Sequence, residues 1–216
     1  MNAKKRCGAL FDLDGVLIDT ESTYSLFWSS IDEMYPTGIE DFAAAIKGTT
    51  LTEILGHFPT DDIRADVKRR IHDFEATMVY NIMPGVMELL QSLREEGFPI
   101  AIYTSSDNVK MAHLRAQHPQ LLDAVDVIIT GSDVSNSKPH PEGYINAAKA
   151  LGCRPEDCFV FEDSIQGLEA GRCSGATVIG LATTLPAERL HGKARVILDG
   201  LTGFTAKNLL ELVNTL

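Results

Sequence analysis

Long apolar runs are missing from this chain: no segment approaches the roughly 20 residues that a membrane helix requires, so no membrane partner is expected. Cysteine is sparse and scattered. Cys7, Cys153, Cys158 and Cys173 form no Cys-x-x-Cys pair and no Cys/His cluster of zinc spacing. Reduced thiols in a cytoplasmic protein are the expectation. Basic residues are too few to balance the acids, and the formal net charge is -11. Nucleic acid is therefore not an expected partner, because a phosphate backbone demands basic surface. A small phosphate held by a few local donors stays compatible, since net charge describes the outside and not a pocket. Repeats, low-complexity tracts and long linkers are lacking as well. The N-terminal stretch MNAKKRCGALFDLDG has too short an apolar part for a secretory signal.

What is present is an ordinary globular composition, 44% hydrophobic and 23% charged over 216 residues, which suits one α/β domain with a smaller insertion. Six apolar runs read as strands: CGALFDLDG near the N-terminus, then Phe98 to Ser106, Ala124 to Val134, Cys158 to Ser164, Ala176 to Thr184 and Ala194 to Gly200. Near-continuous apolar strands separated by helices predict a parallel sheet covered on both faces. The intervening helices have start and stop signals. PGVMELLQSLREEG opens on Pro84, stops at Gly97 and sets Val86, Leu89, Leu90 and Leu93 on one face. HPEGYINAAKALG repeats the arrangement, and SIQGLEAGRCSG and AKNLLELVNTL complete the set.

One segment breaks the alternation. From Asp19 to Met83 there are helical patterns and no convincing strand. The predicted organisation is an α/β core made of 1–18 and 84–216, with an inserted α-helical cap at 19–83. LIDT and NIMPG would be the hinge stretches. An insertion after the C-terminal end of a strand sits above the ligand crevice of such a sheet, where it can act as a lid.

The polar residues at the ends of the strands carry the chemistry. Asp12 and Asp14, in FDLDG, are set into a greasy segment, and residues two apart in extended chain face the same way. Burying such carboxylates without partners is costly. Asp163, beside Glu162 at another strand end, gives the same site a third carboxylate. Crowded carboxylates repel unless a hard cation sits among them, and oxygen ligands suit Mg²⁺. Thr104, Ser105 and Ser106 end one strand, and Lys138 follows another, supplying donors for an anion. A metal, a lysine, hydroxyls and a carboxylate nucleophile fit phosphoryl transfer. Taken singly, each signal has a plainer reading. Asp-x-Asp-Gly opens calcium loops, though Val16, Leu17 and Ile18 stand here where such a loop needs oxygen ligands. TSS is an ordinary turn or cap, SKP a solvated loop, and EDS an acidic helix start. Their order and their strand ends make the case. None of the six histidines is assigned to catalysis; His140 reads as a loop residue, and Phe27 and Trp28 as helix packing.

In these motifs the sequence resembles the haloacid dehalogenase superfamily of phosphotransferases, in the branch with a helical cap after the first strand. DLDG, TSS, SKPHPEGY and FEDSIQGLEAG resemble its four motifs in order, over nearly the whole chain. The closest look is to β-phosphoglucomutase and the small sugar-phosphate phosphatases. The resemblance implies a Rossmann-like doubly wound core and an aspartyl-phosphate mechanism. Asp12 is the implied nucleophile, and Asp14 the acid/base. Lys138 and Thr104 would hold the phosphoryl group, with Ser105 and Ser106 beside it. Mg²⁺ would be held by Asp12, the backbone carbonyl of Asp14, Asp163 and Glu162. A monomer is implied too.

For the cap, Lys47, Gly48 and Asn108 match the mutase pattern of substrate-binding positions, while the plainer reading of Lys47 is a surface helix-end lysine. The chain has Leu51 where that pattern has an arginine, and Tyr24 where it has a histidine. The arginine would clamp a second phosphate bidentately. Its absence favours a phosphatase acting on a small phosphorylated metabolite, a sugar or polyol phosphate. A phosphosugar mutase is the runner-up. Inorganic pyrophosphatase and an idle binding protein on the same fold are further alternatives.

Overall fold

The computed structural model describes residues 7–214. In chain order, strand β1 (Gly8–Phe11) leads into a two-residue strand, β2 (Ile18–Asp19), and then into the cap helices α1 (Glu21–Met34), α2 (Phe42–Ala45), α3 (Leu51–Gly56) and α4 (Asp61–Thr77). A second short strand, β3 (Asn81–Ile82), returns the chain to the core. There α5 (Val86–Glu95), β4 (Ile100–Tyr103), α6 (Asn108–Gln117), α7 (Pro119–Asp123) and β5 (Val127–Ile129) follow. After these come α8 (Glu142–Ala150), β6 (Cys158–Glu162), α9 (Ile165–Ser174), β7 (Thr177–Leu181), α10 (Ala187–Leu190), β8 (Val196–Leu198) and α11 (Ala206–Asn214).

The six longer strands form one sheet in the order β5-β4-β1-β6-β7-β8, and every pairing is parallel. β1 is central, with Phe11 opposite Ile102 on one side and Phe161 on the other. Alternation along β1 divides the interior. Ala9 and Phe11 face a core built with Leu89, Leu90 and Leu93 of α5 and Leu114 of α6. Leu10 faces a second core with Tyr144, Ala147 and Ala148 of α8 and Leu168 of α9. All four residues of β1 are buried, as a strand covered on both faces requires. Each fully buried large apolar side chain contributes about 1.5–3 kcal/mol of transfer free energy, so this double layer holds the strand ends in fixed positions.

The cap has its own apolar centre of Trp28, Ile31, Phe42, Ile54, Phe58, Val67 and Ile71. Phe27 belongs to this packing, stacked on Phe74 at 4.6 Å. One expectation needs correcting. The segment from Asp19 to Met83 does contain strand: Ile18 and Asp19 pair antiparallel with Ile82 and Asn81, so the two hinge stretches are tied to each other. Two residues are too short to show alternation, and their partner lies more than sixty residues away, which no local pattern reveals.

Candidate active site

Because the sheet is parallel, the C-terminal ends of β1, β4, β5 and β6 open on one edge, directly beneath the cap. Asp12 follows β1, Thr104 follows β4, Glu162 ends β6 with Asp163 next, and Lys138 lies in the loop from β5 to α8. A cavity of about 110 Å³ lies there, with Asp12, Asp14, Thr104, Lys138 and Asp163 on its floor and α1, α3, α4 and the Lys47–Thr49 turn above.

The floor is a buried charge cluster. Lys138 Nζ donates to Asp12 Oδ1 and to Glu162 Oε1, both at 2.6 Å. Its ammonium also stands 4.9 Å from the Tyr103 ring centroid and 5.5 Å from that of Tyr144. Glu162 is wholly buried and its oxygens are occupied. Oε1 accepts from Lys138 and from Tyr144 Oη at 2.7 Å, and Oε2 accepts from the amide of Asp163 at 3.1 Å and from Ser164 Oγ at 3.1 Å. The backbone of α9 can pass this close because residue 167 is glycine; a Cβ there would overlap the Glu162 carboxylate. Ser164 caps α9 by accepting from the Gly167 amide at 3.0 Å, so one serine starts the helix and orients Glu162.

Asp163 is different. It is buried, and its Oδ2 makes no well-formed hydrogen bond among the described residues; the neighbouring Thr184 Oγ1 makes none either. A buried, unsatisfied carboxylate oxygen is expensive. The cluster of Asp12, Glu162 and Asp163 brings one oxygen of each within 4.8 Å of the others. Gly15 walls this space: its φ is +74°, and a Cβ there would overlap Asp163 Oδ2. Oxygen donors only, one of them unsatisfied, beside a wall that tolerates no side chain, fit a hard divalent cation such as Mg²⁺. Burial pushes Asp12 up to about 7, with Lys138 opposing and Glu162 adding to the rise. Burial and the same neighbouring carboxylates drive Asp163 well above the usual carboxylate range. A cation among them reverses that pressure.

Asp14 is held apart from this cluster. Its Oδ1 accepts from Thr20 Oγ1 and from Lys110 Nζ, the latter at 2.5 Å, and its Oδ2 accepts from Ser106 Oγ at 3.1 Å. Burial works to raise its pKa, but Lys110 and the hydroxyls outweigh it and hold the carboxyl below its ordinary value. Thr104 is buried, its Oγ1 accepting from the Ser106 amide at 3.0 Å. Ser105 Oγ donates to the carbonyl of Gly48 at 2.6 Å and so ties the core to the cap. Lys47 lines the cavity and pairs with Glu21 at 2.6 Å, so it is not a plain surface lysine. Leu51 also lines it. Trp28 both packs in the cap and lines the cavity. Asn108 does not reach it: the residue is exposed, and its Oδ1 accepts from Thr130 Oγ1 at 3.2 Å. His140 is exposed in its loop, its Nδ1 accepting from the Glu142 amide at 3.2 Å.

Among the cavity residues that escaped the sequence reading are Glu21, Glu75 and above all Lys110, and Thr20, outside the lining, reaches the site through its bond to Asp14. A signal existed for Lys110 and Glu75. Lys110 lies four residues before Leu114, and Glu75 four after Ile71, so each is a charge on an otherwise apolar helical stripe.

A model of the haloacid dehalogenase-like hydrolases matches residues 9–181. The chain belongs to that family. Two of its relatives are Hexitol phosphatase A of Escherichia coli (strain K12), 34% identical over 86% of this chain and 88% of the relative, and Validoxylamine A 7'-phosphate phosphatase of Streptomyces hygroscopicus subsp. limoneus, 34% identical over 90% and 93%. Phosphorylated carbohydrates phosphatase of Thermotoga maritima is 30% identical over 88% and 87%. Among solved structures, β-phosphoglucomutase from Clostridium difficile shares the fold, with a TM-score of 0.80 at 22% identity over 96% of this chain and 97% of that one. This member of the dehalogenase-like hydrolases thus joins a parallel Rossmann-like core to a helical cap. Among the described residues no helix is long and apolar enough to cross a membrane.

Proposed function

We propose that this hydrolase is a Mg²⁺-dependent phosphatase that cleaves a sugar or polyol monophosphate through an aspartyl-phosphate on Asp12. It is a phosphoric monoester hydrolase, in keeping with the phosphatases among its relatives. Asp12, Asp163 and the carbonyl of Asp14 would hold the ion, whose charge offsets that of the phosphoryl oxygens. Glu162 borders the same space and holds Lys138. Asp12 attacks phosphorus and the bond to the leaving oxygen breaks. Asp14 gives a proton to that oxygen; water then attacks the aspartyl-phosphate, and Asp14 takes the proton back. A phosphoryl group entering beside Asp14 brings negative charge, which raises the pKa of a neighbouring carboxyl and so populates the acid form when substrate is bound. Lys138 and Thr104 hold the phosphoryl oxygens, and Ser105 keeps the cap's Gly48 turn over them. Asn108, exposed and bonded to Thr130, is left out of the substrate site.

One observation carries the choice of a monophosphate. Each cavity lysine is already matched by a carboxylate: Lys47 by Glu21, Lys110 by Asp14, and Lys138 by Asp12 and Glu162. No arginine is among the residues lining the cavity, and Leu51 stands with Ile46, Ile54 and Ile71 on its apolar side. A second phosphate would meet no unpaired cation. Glu21 also lines the cavity and is an acceptor for sugar or polyol hydroxyls. A cytoplasmic location and a monomeric state complete the proposal.

The experiment is phosphate release from a panel of sugar phosphates, polyol phosphates, nucleotides and pyrophosphate, with Mg²⁺, with EDTA and with Asp12→Asn. β-Glucose 1-phosphate is included, and glucose 6-phosphate formation is followed alongside. Metal-dependent release that Asp12→Asn abolishes supports the proposal, and the best substrate names the function. Glucose 6-phosphate without phosphate release would overturn it in favour of a mutase.

A further inference from the structure

Lys110 has no place in the mechanism above, yet it is the third lysine of the cavity and only 2% exposed. It comes from the core, on the first turn of α6, where Asp107 caps the helix by accepting from the amides of Val109 and Lys110 at 2.9 and 3.1 Å. Its ammonium donates to Asp14 Oδ1 at 2.5 Å. On its other side it meets the cap. The Tyr24 ring of α1 lies 4.4 Å from Nζ. Tyr24 Oη donates at 2.7 Å to Glu75 of α4, a buried carboxylate within electrostatic reach of Lys110. A buried ion pair is poor value for stability alone, since well-packed apolar residues in its place are often neutral or better. A lysine retained here needs another reason.

We infer that Lys110 is a positioning residue that ties closure of the cap to the placement of Asp14. The inference rests on the reading of Asp14 as acid/base. With the cap down, Tyr24 and Glu75 cover the ammonium and leave Asp14 Oδ1 as its direct partner. Lys110, Thr20 and Ser106 then fix the carboxylate from three directions. With the cap lifted, Tyr24 and Glu75 depart, Lys110 is solvated, and the carboxylate loses the restraint. Asp14 would thus be set for proton transfer only in the closed state, where the cavity excludes water.

The test compares two monoesters under saturating Mg²⁺. An alkyl phosphate, the best sugar or polyol phosphate of the panel, has a leaving oxygen that requires a proton. p-Nitrophenyl phosphate has one that does not. Loss of general acid catalysis costs about 10²–10⁴-fold, so mispositioning of Asp14 shows chiefly in the alkyl ester. Hydrolysis of the aspartyl-phosphate is common to both esters, so the readout is kcat/KM, which reports formation of that intermediate; Lys110→Met is expected to lower it for the alkyl ester at least about tenfold more than for the aryl ester. Lys110→Arg restores part of the loss. Glu75→Gln and Tyr24→Phe, which act from the cap side, lower the alkyl kcat/KM in the same sense. Their effects vanish in the Lys110→Met background, because the coupling runs through the lysine. Circular dichroism and thermal melting confirm that each variant is folded. Equal losses of kcat/KM on both esters, or cap-side effects that persist without Lys110, would overturn the inference. The phosphatase reading fails separately, when wild-type protein releases no phosphate or Asp12→Asn retains the activity. If Asp14→Asn lowers kcat/KM of both esters equally, the role of Asp14 as acid falls and the role of Lys110 falls with it.

Discussion

Gly15 stands where any side chain would collide with Asp163: a Cβ on it would overlap Asp163 Oδ2 and lie 2.6 Å from Thr184 Oγ1. Its φ of +74° adds a backbone reason for glycine. Gly15→Ala is therefore expected to lose both activity and Mg²⁺ affinity, and to destabilise the protein by more than about 1 kcal/mol. Isothermal titration with Mg²⁺ and urea unfolding check the two effects separately. Unchanged Mg²⁺ binding would show that the space beside Asp163 is not the metal site.

The same cluster predicts a pH dependence of the metal-free protein. The Asp12 carboxyl has an ordinary value of 3.8 and is pushed up to about 7, by burial first and by Glu162 and Asp14 against the opposing Lys138. Between those values the folded state binds more protons than the unfolded state, so this group's contribution to stability falls as pH rises. Asp163 is raised by burial in the same direction. In EDTA, wild type should lose more stability between about pH 4 and pH 7 than Asp12→Asn does, and saturating Mg²⁺ should remove most of that difference. Thermal melts at matched ionic strength measure it. A wild-type slope no steeper than that of Asp12→Asn would contradict the assignment.

Lys138 is the cation that makes the floor tolerable, since it bonds both Asp12 and Glu162 at 2.6 Å in a buried site. Lys138→Met leaves two buried carboxylates uncompensated. Breaking such a pair from one side costs about 3–5 kcal/mol, so the variant should unfold at markedly lower urea and have no measurable phosphatase activity. A stability loss under about 1 kcal/mol would mean that the carboxylates find other partners.

Lys47 and Leu51 test the roof of the cavity. Lys47→Ala breaks the pair with Glu21 and removes a donor facing the substrate, so kcat/KM for the sugar or polyol phosphate should fall about tenfold. Unchanged kinetics would return Lys47 to a structural role. Leu51→Arg places a guanidinium in a cavity that has no unpaired cation; it should tighten inhibition by a sugar bisphosphate and weaken the apolar side. Competition assays read both, and an unaltered inhibition constant would show that position 51 does not face the second phosphate.

Local sequence and tertiary structure contributed different parts of this protein. All six strands of the sheet, their parallel arrangement and the covering helices α5, α8, α9 and α11 were legible, because fully buried strands leave continuous apolar runs and helices leave a spaced stripe; α6, α7 and α10 went unread, and with α6 the residue Lys110. Asp12, Thr104, Lys138, Glu162 and Asp163 were legible for a related reason: each closes or follows such a run, and parallel strands place those ends on one edge. The division of labour among the acids was not. Glu162 and Asp163 are neighbours in the chain, yet one is saturated with donors and the other retains an unsatisfied oxygen. Strand alternation sends neighbours to opposite sides, and only the assembled helix and loop decide what waits there. The pairing of β2 with β3, the exclusion of Asn108, and the meeting of Lys110 with Tyr24 and Glu75 depend likewise on segments far apart in the chain. The residues supply the chemistry, and the closure of the cap over the sheet decides which of them face one another, because charge and hydrogen bonding act over a few ångströms of space and not along the sequence.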